Sequence, residues 1–275
     1  WGAPYLHVHR ADLLWTLVAR AEEAGVQVHL DARAERVLEG PDGITLFLEG
    51  GGRHEGDMVL AADGVRSALR AELHAREQPR FTGQVAWRGL IPAERVPEGT
   101  VAPDATVWAG PGRHLVTYYV RRGEMINFVA VEERADWAAE GWAEQGDPEA
   151  LRAVFAGWRP EVTTLLEAVE NCFVWGLFDR PEQARWVEGR LALIGDAAHP
   201  MLPFMAQGAA QALEDVAVLA RHLGQGGKVA DALRAWEDER WARWLQRALE
   251  NYRIPGRLIG TIGEFGPVPR NLRPV

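Results

Sequence analysis

The sequence predicts a mixed α/β fold, and three stretches carry that prediction. LALI at 191–194 reads as an apolar strand that runs into a Gly-Asp turn at Gly195 and Asp196, crosses a proline-bearing loop and enters a helix just after Gly208. DMVLAAD at 57–63 reads as a second strand, ending in Ala-Asp-Gly ahead of a helix at 65–75. Between them, residues 81–131 hold alternating runs such as HLVTYYV and EMINFVAV, the period-two pattern of strands, and form a second, β-rich layer or domain.

The remaining elements follow in chain order. Leu13, Leu14, Leu17, Val18 and Ala21 make a helical stripe over 11–24, with Asp12 in the first turn and Gly25 as the stop. VQVHL at 26–30, AERVLEG at 34–40 and ITLFLEG at 44–50 read as strands, the last two joined by the Pro41-Asp42-Gly43 turn. Helical segments are expected at about 134–142 and 147–169, a strand at 173–178, the helix after Gly208 up to 223, and a long helix from 229 to about 251.

Composition narrows the function classes. Hydrophobic content of 47% and charged content of 25% are globular values, and 275 residues suffice for one large or two ordinary domains. A net charge of −9 repels a phosphate backbone, so nucleic acid is not an expected partner. No apolar run approaches a membrane span, and His7, His9, Arg10 and Asp12 fall where a secretory signal would need apolar residues. The single Cys172 leaves no internal disulfide. The expectation is a cytoplasmic protein without a membrane partner or a metal, with a homodimer left open.

Asp196 and Asp63 both stand at the carboxyl ends of strands, where open α/β sheets bind nucleotide-like ligands. Asp196 can accept hydrogen bonds from ligand hydroxyls, and the N-terminus of the helix after Gly208 can face an electron-rich ring or a developing anion. The same residues also suit a plain turn in which each Asp caps the chain.

The wording of these stretches is more specific than their geometry. GDAAHPMLPFMAQGAAQALED at 195–215 resembles the second flavin-binding motif of the FAD-dependent aromatic-ring monooxygenases, the salicylate hydroxylase and para-hydroxybenzoate hydroxylase family. DMVLAADGVRSALR at 57–70 is similar to that family's Asp-Gly motif, and HRADLLWTL at 9–17 to the segment in which an Arg opens a helix against the flavin. WRGLIPAERVP and GPGRHLVTYYVRRGEMINFVAVEE fill the interval in family order, so the resemblance covers nearly the whole chain. One departure is large. The family begins with a strand, a Gly-x-Gly-x-x-Gly turn and a helix, and this chain has no such spacing: Gly110 and Gly112 are followed by Leu115, and Gly224 and Gly226 by Val229. The expectation is an incomplete record lacking the first βαβ unit.

The resemblance implies a Rossmann-like FAD-binding domain that is discontinuous and N-terminally incomplete, formed by 1–78 and 179–275 with C-terminal helices, around a substrate domain at 79–178. It implies FAD as cofactor and NADH or NADPH as co-substrate, with a flavin hydroperoxide passing oxygen from dioxygen to a phenolic or benzoate-type ring. The rival readings are a flavin-dependent epoxidase or hydroxylase of a non-aromatic substrate and a non-catalytic ligand-binding remnant without FAD. Arg10 would contact the ribityl chain or pyrophosphate, Asp63 and Gly64 the FAD and the visiting nicotinamide cofactor, and Asp196 the ribityl hydroxyls. Pro203, Gln207, Gly208 and Ala209 would lie beside the isoalloxazine ring. His114 and Tyr118, four apart and so on one face of a strand, would line the ring pocket and assist phenol deprotonation. Phe204 and Tyr5 would complete that pocket.

Overall fold

The computed structural model describes residues 6–74, 79–135, 137, 144–180, 185–203 and 206–253, the last ten as backbone only. The fold is mixed α/β, and the chain divides into two compact units. One joins the chain through Val28 to Phe81–Leu177; the other joins His29–Arg80 to the segment that begins at Phe178. Helix α1 (Arg10–Glu23) thus groups with the β-rich middle of the chain rather than with residues 29–80.

The first unit is built on a six-stranded sheet. Its strands are β5 (Arg80–Pro92), β6 (Thr106–Gly110), β7 (Arg113–Val120), β8 (Met125–Glu133), β9 (Glu144–Gly146) and β10 (Cys172–Asp179), in the spatial order β6-β7-β8-β5-β10-β9. Alternation decides the faces. Leu115 on β7, Ile126, Phe128 and Ala130 on β8, and Trp87 on β5 are buried in one cluster with Leu151, Phe155, Val162, Leu165 and Leu166 of α3 (Pro148–Val154) and α4 (Pro160–Glu167). Gly89 faces the same core, since a Cβ there would meet the Phe128 ring at 2.6 Å. The neighbouring positions must point the other way, and His114, Val116, Tyr118, Asn127, Val129 and Arg88 are all half-buried on the opposite face.

In the second unit, β1 (Ala34–Glu39), β2 (Ile44–Leu48) and β3 (Arg53–Gly56) form an antiparallel meander. A second sheet pairs β4 (Val59–Ala61) in parallel with β12 (Leu191–Leu193), which also pairs antiparallel with β11 (Val187–Glu188). Parallel pairing aligns the carboxyl ends of β4 and β12, and therefore the Asp-bearing turns that follow them. The core under these strands holds Ile44, Leu69, Trp186 and Leu193 with Val218 and Leu219 of α5 (Gly208–Leu223) and Leu233 and Trp236 of α6 (Val229–Arg253).

Four expectations change. VQVHL at 26–30 is not a strand: Val26, Val28 and Leu30 are exposed, and no described strand pairs with them. The helix expected at 65–75 shrinks to α2 (Arg70–Leu73), after a turn in which Asp63 takes the backbone amides. The helix expected at 147–169 is two helices, split where Gly157 adopts φ +76° and Pro160 starts a new N-terminus. Residues 134 and 135 are not helical, and most of the segment to 142 lies outside the described residues.

Candidate functional site

In the second unit the two Asp turns have different structures. Asp63 accepts from the amides of Ala68 at 2.8 Å and Leu69 at 3.4 Å, closing the loop that leads to α2. Gly64 supplies a φ of +78° that lets the chain reverse there. Ser67 then caps Arg70 at 2.8 Å, and the buried Arg70 guanidinium donates to the carbonyls of Ala197 at 2.7 Å and Ala198 at 3.0 Å. A side chain from the first motif therefore holds the backbone of the second.

Asp196 follows β12 in a 3-10 turn, Gly195–Ala197, with its side chain exposed. Gly195 has φ +57°, and a Cβ on it would stand 3.2 Å from Ala212 Cβ, so the turn sits tightly on α5. Asp196 Oδ1 lies 3.8 Å from where a Gly208 Cβ would be, which brings the carboxylate to the open end of α5. That end has no side-chain cap at Gln207 and no acid in its first turn, and Gln207 Oε1 is buried with no hydrogen-bond partner among the described residues. Pro203 and Ala209 are exposed on either side, Pro203 accepting at its carbonyl from Ala206 N–H at 3.0 Å. A carboxylate for hydroxyls beside free helix N–H groups fits the ribityl chain and ring of a flavin, and Asp196, Gln207 and Gly208 are the residues that would hold them.

The turn is set from below by a buried ionic network that the motif spacing did not disclose. Asp215, fully buried, accepts from Gly195 N–H at 2.8 Å, pairs with His199 Nε2 at 2.7 Å and receives Arg240 Nε at 2.7 Å. Arg240, also fully buried, reaches Glu214 at 3.0 Å and Gln211 Oε1 at 2.9 Å. Burial opposes charge on Asp215, but His199, the Gly195 amide and Arg240 outweigh it and hold the carboxyl below its usual range. His199, Glu214 and Asp215 thus serve to hold the turn against α5 and α6.

In the first unit, His114 and Tyr118 share the half-buried face of β7, as their spacing requires, opposite Val131 and Asn127 of β8. Burial pushes the His114 imidazole below its usual pKa, so the neutral ring is favoured. His7 stacks on Tyr118 with ring centroids 4.5 Å apart and 22° between planes. Arg121 clasps Asp12 with two bonds of 3.0 and 2.9 Å, fixing α1 to the end of β7. Arg10 opens α1 and is exposed. His7 and Arg88, which shares this face, are candidate site residues that the sequence did not single out; the only signal for His7 was its place two residues before His9 in the motif segment. Tyr5 and Phe204 lie outside the described residues.

A family model described as FAD binding domain matches residues 3–248. The chain is 41% identical over 244 residues to 3-amino-4-hydroxybenzoate 2-monooxygenase PtnB3 of Streptomyces platensis, covering 88% of this chain and 61% of that protein. The chain therefore spans about three fifths of that relative's length. It is 32% identical over 280 residues to 3-hydroxybenzoate 6-hydroxylase 2 of Aquipseudomonas alcaligenes, with 99% of this chain and 83% of the relative covered. Among solved structures, a salicylate hydroxylase substrate complex superimposes with a TM-score of 0.77 at 30% identity, over 92% of this chain and 69% of the other. By the FAD-binding match, these relatives and the paired Asp turns, the chain belongs to the family of FAD-dependent aromatic-ring monooxygenases.

Proposed function

We propose that this protein hydroxylates a phenolic or benzoate-type ring with NAD(P)H and dioxygen. The observation that carries the reading is the half-buried sheet face on which His7 stacks on Tyr118 with a neutral-leaning His114 two pleat repeats away on the same strand. Bound FAD would supply the reduction of dioxygen and the electrophilic oxygen, and the protein would supply position, desolvation and a base.

Each residue then has a task. With FAD bound, Asp196 would accept from its ribityl hydroxyls, and the amides that open α5 would stabilise negative charge on the flavin. Asp63, bonded to Ala68 and Leu69, keeps the first turn in shape, so its part in cofactor binding runs through the backbone it orders. Burial favours the neutral His114 imidazole, the form that can accept the phenol proton. Tyr118, fixed by the His7 stack, orients the ring substituent from which the proton leaves. A phenolate is the more electron-rich ring, so proton removal and ring attack are coupled.

The test is consumption of NAD(P)H and incorporation of labelled oxygen by the FAD-supplemented protein. The panel is 3- and 4-hydroxybenzoates, hydroxynicotinate and a non-aromatic alkene. Ring-dependent stimulation with oxygen in the ring product supports the reading. Stimulation by the alkene alone replaces the substrate class, and no response to any compound together with no flavin binding defeats the enzyme reading.

A further inference from the structure

The sheet face that carries Tyr118 also carries a donor that the fold leaves unmet. Asn127 on β8 stands directly opposite Tyr118 of β7 on one side and Leu90 of β5 on the other. Along its own strand the neighbours on that face are Met125 and Val129. Asn127 Nδ2 is buried and has no hydrogen-bond partner among the described residues. Burying an amide N–H with no acceptor is unfavourable, and folded proteins rarely leave one so.

Other polar side chains of this unit are matched. Trp87 Nε1 donates to Glu132 at 3.0 Å, Thr82 Oγ1 to the Leu177 carbonyl at 2.9 Å, and Arg152 to the carbonyls of Leu166 at 3.2 Å and Val169 at 2.9 Å. Thr117 Oγ1 is unmatched too, but it is fully buried on the core face opposite Phe128, away from any ligand. Asn127 differs in position. The residue as a whole is only half-buried, on the face turned away from that core. The terminal torsion of Asn is broad and soft, so a turn of the carboxamide brings an N–H to the surface of the face. Directly opposed residues on neighbouring strands have Cβ atoms roughly 5 Å apart, so a group held beside Tyr118 also meets the Asn127 amide. A neutral N–H donor set among Leu90, Met125 and Val129 suits an oxygen on an otherwise apolar ring.

We propose that Asn127 is the residue that selects for a ring hydroxyl: its Nδ2–H donates to the phenol oxygen that Tyr118 orients. When that hydroxyl ionises, its proton passes to the base and the O–H electron pair stays on the oxygen. The bond from Asn127 then becomes charge-assisted and stronger. Asn127 therefore favours phenolate over phenol, and a hydroxylated ring over a bare one. The choice of a phenol as ligand rests on the proposed function; the unmet donor itself does not.

The experiment is titration of the flavin-free 275-residue chain with 4-nitrophenol, whose ionisation is read by absorbance, and with nitrobenzene, which lacks the hydroxyl. Both are repeated on Asn127→Leu and Asn127→Asp. The parent should bind nitrophenolate more tightly than nitrophenol, so the bound ligand ionises at lower pH than the free one. Asn127→Leu should weaken nitrophenolate binding about tenfold and change nitrobenzene binding by less than about twofold. Asn127→Asp, which puts a carboxylate where the donor was, should move the ionisation of the bound ligand to higher pH. The Tm of the ligand-free chain separates a donor kept for a ligand from one that serves the fold. Leucine removes an unmet donor and breaks no bond, so the Tm of Asn127→Leu should equal or exceed that of the parent. The proposal is overturned if the parent does not bind 4-nitrophenol, if Asn127→Leu binds nitrophenolate as the parent does, or if Asn127→Leu lowers Tm by several degrees. Because binding is read without turnover, parent-like variants beside ring-stimulated NAD(P)H oxidation remove this role and leave the hydroxylase reading standing. Ionisation that depends on Asn127, with no ring-stimulated oxidation, does the reverse.

Discussion

Single residues divide into those that hold the site and those that meet the ligand, and the division is measurable. Asp215 faces the fully buried Arg240 and three other donors. Its backbone carbonyl takes Trp236 Nε1, so that bond survives a side-chain change. Asp215→Asn leaves the buried guanidinium without its charged partner and should cost about 3–5 kcal/mol in urea unfolding. Asp196 is exposed, so Asp196→Ala should shift stability by no more than about 0.5 kcal/mol while weakening flavin binding by roughly 1–3 kcal/mol in a fluorescence titration. Equal effects of the two on stability would erase the distinction. His114 gives a pH signature. Its usual imidazole pKa is 6.5 and burial lowers it in the fold, so below 6.5 the unfolded chain binds the proton first. The folded state is then penalised as pH falls through 6.5 toward the lowered value, and the penalty is absent above 6.5. His114→Gln should flatten the dependence of Tm on pH across that window, and an unchanged slope would show that the ring titrates as in the unfolded chain. In flavin-loaded protein, His114→Gln should also slow ring hydroxylation ~10²–10⁴-fold in single turnovers, with partial recovery at high pH as the phenol ionises unaided.

At the scale of elements, the Gly195 turn is where β12, the Asp196 loop and α5 meet. Gly195→Ala adds a Cβ 3.2 Å from Ala212 Cβ and places an alanine at φ +57°, so about 1–2 kcal/mol of stability should be lost in thermal unfolding. An Ala variant as stable as the parent would mean that α5 yields at no cost. Elements with a strong local pattern were legible: α1, β2, the β7–β8 hairpin strands, α5 and α6 lie where periodicity put them. The misses have local causes. Strand β3 is Arg-His-Glu-Gly, exposed throughout, and exists because β2 offers it a ladder, a cause no apolar pattern records. VQVHL has the reverse problem: the composition of a strand and no partner among the described residues. The break between α3 and α4 was written in Gly157 and Pro160, but the apolar spacing of Val154, Phe155, Val162, Leu165 and Leu166 ran across it.

Across the whole molecule, each unit has its own core and carries a different kind of candidate group. The motif wording located Asp63 and Asp196 because their neighbours in sequence are also their neighbours in space. The Tyr118 face was only half legible. His114 and Tyr118 share a strand, but His7 and Arg88 come to that face from other elements, and pairing across a sheet leaves no mark in local sequence. The same reasoning bears on the cofactor as a whole. Asp196, Gln207 and Gly208 fit the ribityl and ring end, whereas no Gly-x-Gly-x-x-Gly spacing exists in these 275 residues to bring backbone N–H groups onto a pyrophosphate. Equilibrium dialysis of FAD against this chain should therefore give a Kd weaker than about 1 μM, the affinity of ~8 kcal/mol that a dinucleotide site with both halves readily exceeds. A chimera carrying the N-terminal segment of the Streptomyces platensis relative ahead of Trp1 should bind FAD at least about tenfold more tightly. Submicromolar binding by the 275-residue chain alone would show that the turns after β4 and β12 suffice, and that the glycine turn adds little to affinity.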